Sequence, residues 1–195
     1  MTKKLDPFPS EDLMSRTAGG DEFAFEILVR RHETSVLNLV YRYVGDRAKA
    51  KDLAQEVFIR VWRVANRYEP KAKFTTWLFS IAVNLCLNEL KSVKGKKLIQ
   101  LGIGGEERKS IDYGAHSVAS QSPEDLLLAE ERSRQVSDSL QGLPENQRMA
   151  LILKRYDNLS YGEIAKILDC SVSAVESLLV RAKRILHEKL APHKI

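Results

Sequence analysis

Apolar residues along this chain return every three to four positions, the spacing that lines one face of an α-helix. No stretch alternates with the period of two that a half-buried strand requires. In EFAFEILVRRHETSVLNLVYRYV, Phe23, Ile27, Val36, Leu39, Val40 and Tyr43 fall at helical spacing and predict one long helix, which Gly45-Asp46 punctuates. RAKAKDLAQEVFIRVWRVANRY predicts the next: Leu53, Val57, Val61 and Ala65 lie four apart with Phe58 and Trp62 beside them, and Tyr68-Glu69-Pro70 stops it. The connector Lys71 to Phe74 then leads into FTTWLFSIAVNLCLNEL, where Thr75 or Thr76 is suited to cap the helix.

That last stretch is almost wholly apolar, except that Trp77, Ser80, Asn84, Asn88 and Lys91 project onto one narrow stripe. Asparagine is a poor helix former because its amide competes for nearby backbone groups. Two asparagines one turn apart on an otherwise buried helix imply that the stripe has a partner.

From Ser92 the pattern dissolves. SVKGKKLIQLGIGGEERKSIDYGAHSVASQS is rich in glycine and serine and reads as a linker of roughly thirty residues, long for a connection inside a compact domain. Helical spacing resumes after Ser122-Pro123-Glu124, with serine as N-cap and proline at the first helical position. LLLAEERSRQVSDSLQGL ends at Gly142, and Pro144 opens ENQRMALILKRY. In NLSYGEIAKILDCSVSAVESLLVRAKRILHEKL, Ser160 and Glu163 have capping-box spacing, and Ile164, Ala165 and Leu168 face a core. A short turn at Asp169-Cys170-Ser171 precedes a second helix, reaching about His187, whose apolar face is Val175, Leu178, Leu179, Ala182 and Leu186. Two short helices, a tight turn and a basic second helix describe a helix-turn-helix. Its polar face carries Ser173, Glu176, Ser177, Arg181 and Arg184, residue types that reach base edges and phosphates in a major groove. The expected fold is all-α: two small helical domains, 1–94 and 123–195, joined by a flexible linker, 95–122.

Composition narrows the function. A chain of 195 residues that is 44% hydrophobic can bury a core in each domain. The net charge of +5 and the pI near 9.2 admit an acidic partner without requiring one. Its distribution says more. Residues 1–94 hold 16 Lys and Arg against 12 Asp and Glu, while 166–195 hold six against three behind an acidic 124–138, so both expected binding regions are basic. Cys86 and Cys170 have no metal-ligand spacing, and His32, His116, His187 and His193 are scattered. With no glycine-rich phosphate loop and no nucleophile–base pair, the reading is a protein that is not an enzyme and uses no metal, cofactor or small-molecule substrate. The start, MTKKLDPFPSEDL, has no apolar run after its lysines, and no stretch reaches membrane-spanning length, so no membrane insertion is expected and the cytoplasm is the default compartment.

The order of these motifs resembles the bacterial RNA polymerase sigma factors of the extracytoplasmic-function (ECF) group. DLAQEVFIRVWRV and KFTTWLFSIAVNLCLNEL resemble the family's second region, and LPENQRMALILKRYDNLSYGEIAKILDCSVSAVESLLVRAKRIL its fourth. The resemblance implies that Asp52, Leu53, Gln55, Glu56, Phe58, Ile59 and Trp62 dock on core RNA polymerase. It implies that Lys73, Phe74, Thr76, Trp77, Asn84, Asn88 and Lys91 meet the −10 element of promoter DNA where the duplex opens, the amides suiting an unstacked base. It places Ser171, Ser173, Glu176, Ser177, Arg181 and Arg184 on the −35 duplex, and it implies an anti-sigma factor as a further partner. Several positions depart from the family pattern: many relatives are basic at Glu176, Leu178 and Thr75 and acidic at Lys49 and Lys51. The competing readings are a dimerising regulator that binds a palindrome alone and a helical adaptor that touches only protein. The asparagine stripe and the paired motif blocks argue against both.

Overall fold

The computed structural model describes residues 8–99 and 135–190, giving only the helical path for 90–99, and all the regular structure among them is helical. The first unit comprises α1 (Ser10–Ala18), α2 (Glu22–Val44), α3 (Arg47–Arg63), a 3₁₀ turn (Ala65–Arg67) and α4 (Phe74–Ile99). The second comprises helical residues 135–141 (α5), α6 (Glu145–Arg155), α7 (Tyr161–Leu168) and α8 (Val172–Leu190).

Local chemistry sets the joints. The Asp21 carboxylate accepts the Ala24 N–H at 3.0 Å to start α2, and it also takes the Arg16 fork at 2.7 and 2.9 Å. Gly45 ends α2 in the left-handed region, φ 79°, where a side chain would be strained, and Asp46 at once caps α3 through the Lys49 N–H. Ser160 and Glu163 form the expected capping box at α7, and Asp169, φ 50°, makes the turn into α8.

In the first unit, α2 buries Ala24, Leu28, Val36, Leu39, Val40 and Tyr43 against α1, α3 and α4. Phe23, expected on that face, is 66% exposed; the inward stripe runs through Ala24, Leu28 and His32, and Phe23 lies about a hundred degrees away. In the second unit α6, α7 and α8 pack mutually around Ile152, Leu153, Ile164 and Val175. Helix α4 also outruns expectation, continuing through Ser92 and Gly95 to Ile99. A single glycine costs a helix only about 1 kcal/mol, and the lysines around it are good helix formers. The expected linker beyond residue 99 and the helix start at Ser122-Pro123 lie outside the described residues.

The two units pack together. Helix α7 lies against α4 and α6 against α2, so one hydrophobic cluster runs through both. At this junction the last carbonyls of α2, which a helix leaves unsatisfied, receive side chains from the second unit. Arg148 donates to the Tyr43 carbonyl at 2.8 Å and Gln141 to those of Tyr43 and Arg42 at 3.2 and 3.4 Å. Arg148 also binds the carbonyls of Gln141 and Leu143, so its buried guanidinium is well supplied with acceptors.

Candidate functional site

Three surfaces hold the residues singled out by sequence. The first is an open, mostly apolar groove of about 1000 Å³ between α2 and α3. Gln55, Phe58, Ile59 and Trp62 line it from α3, while Phe25, Val29 and Leu37 line it from α2. The Phe25 and Trp62 rings meet at 5.0 Å, and Trp62 and Ile59 remain 38% and 45% exposed, an unusual cost for large apolar side chains unless a partner covers them. Asp52 is exposed beyond the lining, Leu53 packs on the core, and Glu56 pairs with Arg60 at 2.8 Å. The α2 half of this groove was missed in the sequence, although 22, 25, 29, 33 and 37 trace a second stripe at helical spacing. Lys49, at the start of the same helix α3, pairs with Glu89 of α4 at 3.1 Å.

The second surface is α4 and the connector before it. Asn84 and Asn88 are exposed while Leu78, Ala82, Val83, Leu85 and Cys86 are buried, so the amides stand out from an apolar helix as the stripe predicts. Burial pushes the Cys86 thiol up to about 12, leaving it a packing residue. Trp77 is half-buried, edge-on to Tyr68 at 4.9 Å, and can offer only part of its ring. Phe74 and Thr76 are buried, so their side chains brace the surface and do not form it. Lys91 lies on the helix, but its side chain falls outside the described residues. Neither Thr75 nor Thr76 caps α4. The helix begins at Phe74, whose N–H is accepted by Glu11 of α1 at 2.8 Å.

Lys73, the connector's last residue, is exposed yet reaches across to Glu163 of α7 at 2.9 Å. Glu163 is held down at about 2, first by the Ser160 backbone N–H, then by the Ser160 hydroxyl and Lys73.

The third surface is the outer face of α8. Ser173, Glu176, Ser177, Arg181 and Arg184 are all exposed on one side, opposite buried Val175, Leu179 and Ala182. Ser171 instead serves the helix itself, its hydroxyl accepting the Ala174 N–H at 3.1 Å. At the centre of the polar face stands Val180, 67% exposed. A search for polar, base-reading types passes over it, whereas its helical position alone would have found it.

Residues 28–95 match the pattern of sigma-70 region 2, and residues 133–186 that of sigma-70 region 4. The chain is similar to the ECF RNA polymerase sigma-E factor of Escherichia coli (37% identity over 92% of this chain and 93% of that one) and to that of Haemophilus influenzae (36%, 92% and 94%). It is 33% identical to the RNA polymerase sigma-H factor of Pseudomonas aeruginosa, over 93% and 94% of the two chains. Among solved structures, CnrH in complex with the cytosolic domain of CnrY superposes with a TM-score of 0.67 at 23% identity, over 94% and 97% of the chains. The sigma factor RpoE of Bartonella quintana, solved with the anti-sigma factor NepR, gives 0.68 at 22%, over 86% and 96%. At those identities the likeness speaks for the fold.

Proposed function

The chain belongs to the ECF RNA polymerase sigma factors, non-enzymatic proteins that direct transcription initiation, and from that premise we propose how its surfaces divide the work. The α2–α3 groove takes core polymerase, with Gln55, Phe58, Ile59 and Trp62 as its α3 side and Phe25, Val29 and Leu37 as its α2 side. The connector and the outer stripe of α4 capture the −10 strand: Lys73 meets phosphate, Asn84 and Asn88 read base edges, and Trp77 offers part of a stacking surface. The outer face of α8 enters the major groove at the −35 element, with Glu176 able to accept from a cytosine amine and Arg181 to donate to guanine or phosphate. Val180 joins this set as the apolar contact for a thymine methyl.

The observation that carries this reading is the pair of exposed amides, Asn84 and Asn88, on a helix otherwise committed to the core, in the same unit as a groove lined by exposed Trp62 and Ile59. RpoE of Bartonella was solved with an anti-sigma factor, and an anti-sigma factor covering the α2–α3 groove is proposed for this chain. Chromosomal promoters place the work in the cytoplasm. Among the described residues no helix is long and apolar enough to cross a membrane.

The test is transcription from fragmented genomic DNA of the source organism by core polymerase, with and without this protein, mapping transcript starts by sequencing. New starts sharing two upstream motifs at fixed spacing support the assignment and reveal the promoter. An active core that gains no new starts across a range of protein concentrations overturns it and moves a self-sufficient regulator or a protein-binding adaptor to the front.

A further inference from the structure

Helix α4 begins without a cap of its own. The residues before Phe74 are Lys71, Ala72 and Lys73, none of which can accept a hydrogen bond through its side chain, and Thr75 and Thr76 come too late in the helix. The first N–H groups of a helix have no partner inside it and carry its positive end. Glu11, in the first turn of α1, supplies the acceptor from 63 residues away: its Oε1 takes the Phe74 N–H at 2.8 Å.

Glu11 is itself held in a braced corner. The adjacent Ser10 hydroxyl meets His32 Nε2 at 2.9 Å and accepts from Arg31 at 3.1 Å, and Arg31 also donates to the Phe8 carbonyl at 2.9 Å. The His32 ring lies 5.1 Å from that of Phe74, which in turn meets Tyr68 at 6.0 Å and Trp77 at 5.8 Å. The charge of Glu11 is felt on both sides of the corner. It helps raise the Tyr68 phenol, after burial, and partly opposes the lowering of His32. One continuous set of contacts thus runs from the start of α1, across α2, to the first turn of α4. The connector Lys71–Lys73 leaves from that turn.

We propose that Glu11 is a positioning residue for promoter opening: by capping α4 from α1 it fixes the direction in which the connector and the α4 stripe meet the −10 strand. The inference rests on the reading of α4 given above. It makes α1 a working part of the opening machinery, although α1 lies outside residues 28–95, which match the region 2 pattern.

The experiment uses holoenzyme assembled from the full chain and core polymerase on a promoter mapped as above. Promoter opening is read by permanganate reactivity of unpaired thymines, core affinity is measured in parallel, and both are recorded well below the melting temperature. Wild type, Glu11→Ala, Glu11→Gln and, as a surface control, Asp12→Ala are compared. Glu11→Ala should open the promoter roughly tenfold less while core affinity stays within about twofold, because the lost cap loosens only the start of α4. Glu11→Gln, which keeps an accepting oxygen, should recover most of the opening, and Asp12→Ala should match wild type. Opening by Glu11→Ala equal to wild type, or a loss of core affinity as large as the loss of opening, overturns the proposal.

If Glu11→Ala does not fold, Glu11→Asp decides. Its acceptor sits one methylene short of Phe74, so reduced opening with unchanged core affinity supports the role, and wild-type opening refutes it. Wild-type holoenzyme that opens no promoter would instead sink the sigma assignment itself, a result distinct from a wild type that opens DNA alongside variants that do so equally.

Discussion

Val180, proposed above as the apolar contact for a thymine methyl, would carry sequence preference without a polar atom. It projects from the middle of the α8 face, 67% exposed, flanked along the helix by Glu176, Ser177 and Arg184. A valine methyl against a thymine methyl rewards one base pair over its alternatives. Val180→Ala should lower transcription from promoters with thymine at the matching −35 position by about 1 kcal/mol of discrimination, leaving other positions unchanged in a randomised-promoter assay. His32 yields a second expectation. Its ring is buried between α1 and α4, and burial, then the Arg31 charge, lower its pKa to about 4 against an ordinary 6.5. The unfolded chain takes up a proton below about pH 6.5 while the folded chain resists until about pH 4. The stability that neutral His32 contributes is therefore complete above 6.5 and lost as pH falls toward 4. Asp157, which burial raises to about 6, acts in the opposite sense, costing stability as pH climbs from 3.8 to 6. The informative quantity is thus a difference. Wild type should lose about 2 kcal/mol relative to His32→Gln between about pH 7 and about pH 4.5, read by denaturant titration at each pH. Neither residue was legible as functional or sensitive in the sequence. A scan for base-reading polar types passes over a valine, and His32 is one of four scattered histidines until the fold places Ser10 and Phe74 beside it.

Helices were legible where their signals are local. Gly45-Asp46, Pro144 and the Ser160–Glu163 pair each sit within a few residues of the boundary they set, and the structure puts a boundary at each. The capping box is the most exposed of these to a simple test. The Ser160 hydroxyl accepts the Glu163 N–H at 3.3 Å, and the Glu163 carboxylate accepts the Ser160 N–H at 2.9 Å. Ser160→Ala should cost the second unit about 1 kcal/mol and lower its melting temperature. The change leaves the buried neighbour Leu159 in place, so the loss reports the cap and not the packing beside it. Unchanged melting would mean that α7 is held by packing alone. The start of α4 shows the opposite case. Its cap comes from Glu11, and no pattern within the helix or its connector points 63 residues back along the chain. The burial of Phe74 and Thr76 was hidden for the same reason, since the helices that cover that turn are distant in sequence. The asparagine stripe, in contrast, was readable because all its members lie on one helix.

At the scale of the molecule, the two units were legible but their contact was not. A linker predicts tethered domains, and tethering alone makes free binding weak because neither surface gains the effective concentration that core polymerase provides. The packed arrangement adds a second cause. Lys73, on the connector proposed to meet the −10 strand, is paired with Glu163, and α7 lies along α4. The same arrangement is pinned where Gln141 and Arg148 cap the end of α2 and where Arg42 stacks on Tyr156 at 4.2 Å. On the proposed reading Lys73 can meet phosphate only by giving up Glu163, so free energy spent on this contact subtracts from −10 affinity. Arg42→Ala combined with Gln141→Ala removes one cross-unit group from each side and leaves the helices of both units their own cores. If the pair is worth about 1 to 2 kcal/mol, the double variant should bind a −10 single-stranded oligonucleotide roughly five- to thirtyfold more tightly as free protein. It should also show a larger radius of gyration by solution scattering, with core-bound transcription close to wild type, the outcome expected where core polymerase holds the two units apart. Tighter binding without expansion would place the effect in α2 itself. Expansion without tighter binding would show that the α4 surface is not what α7 covers.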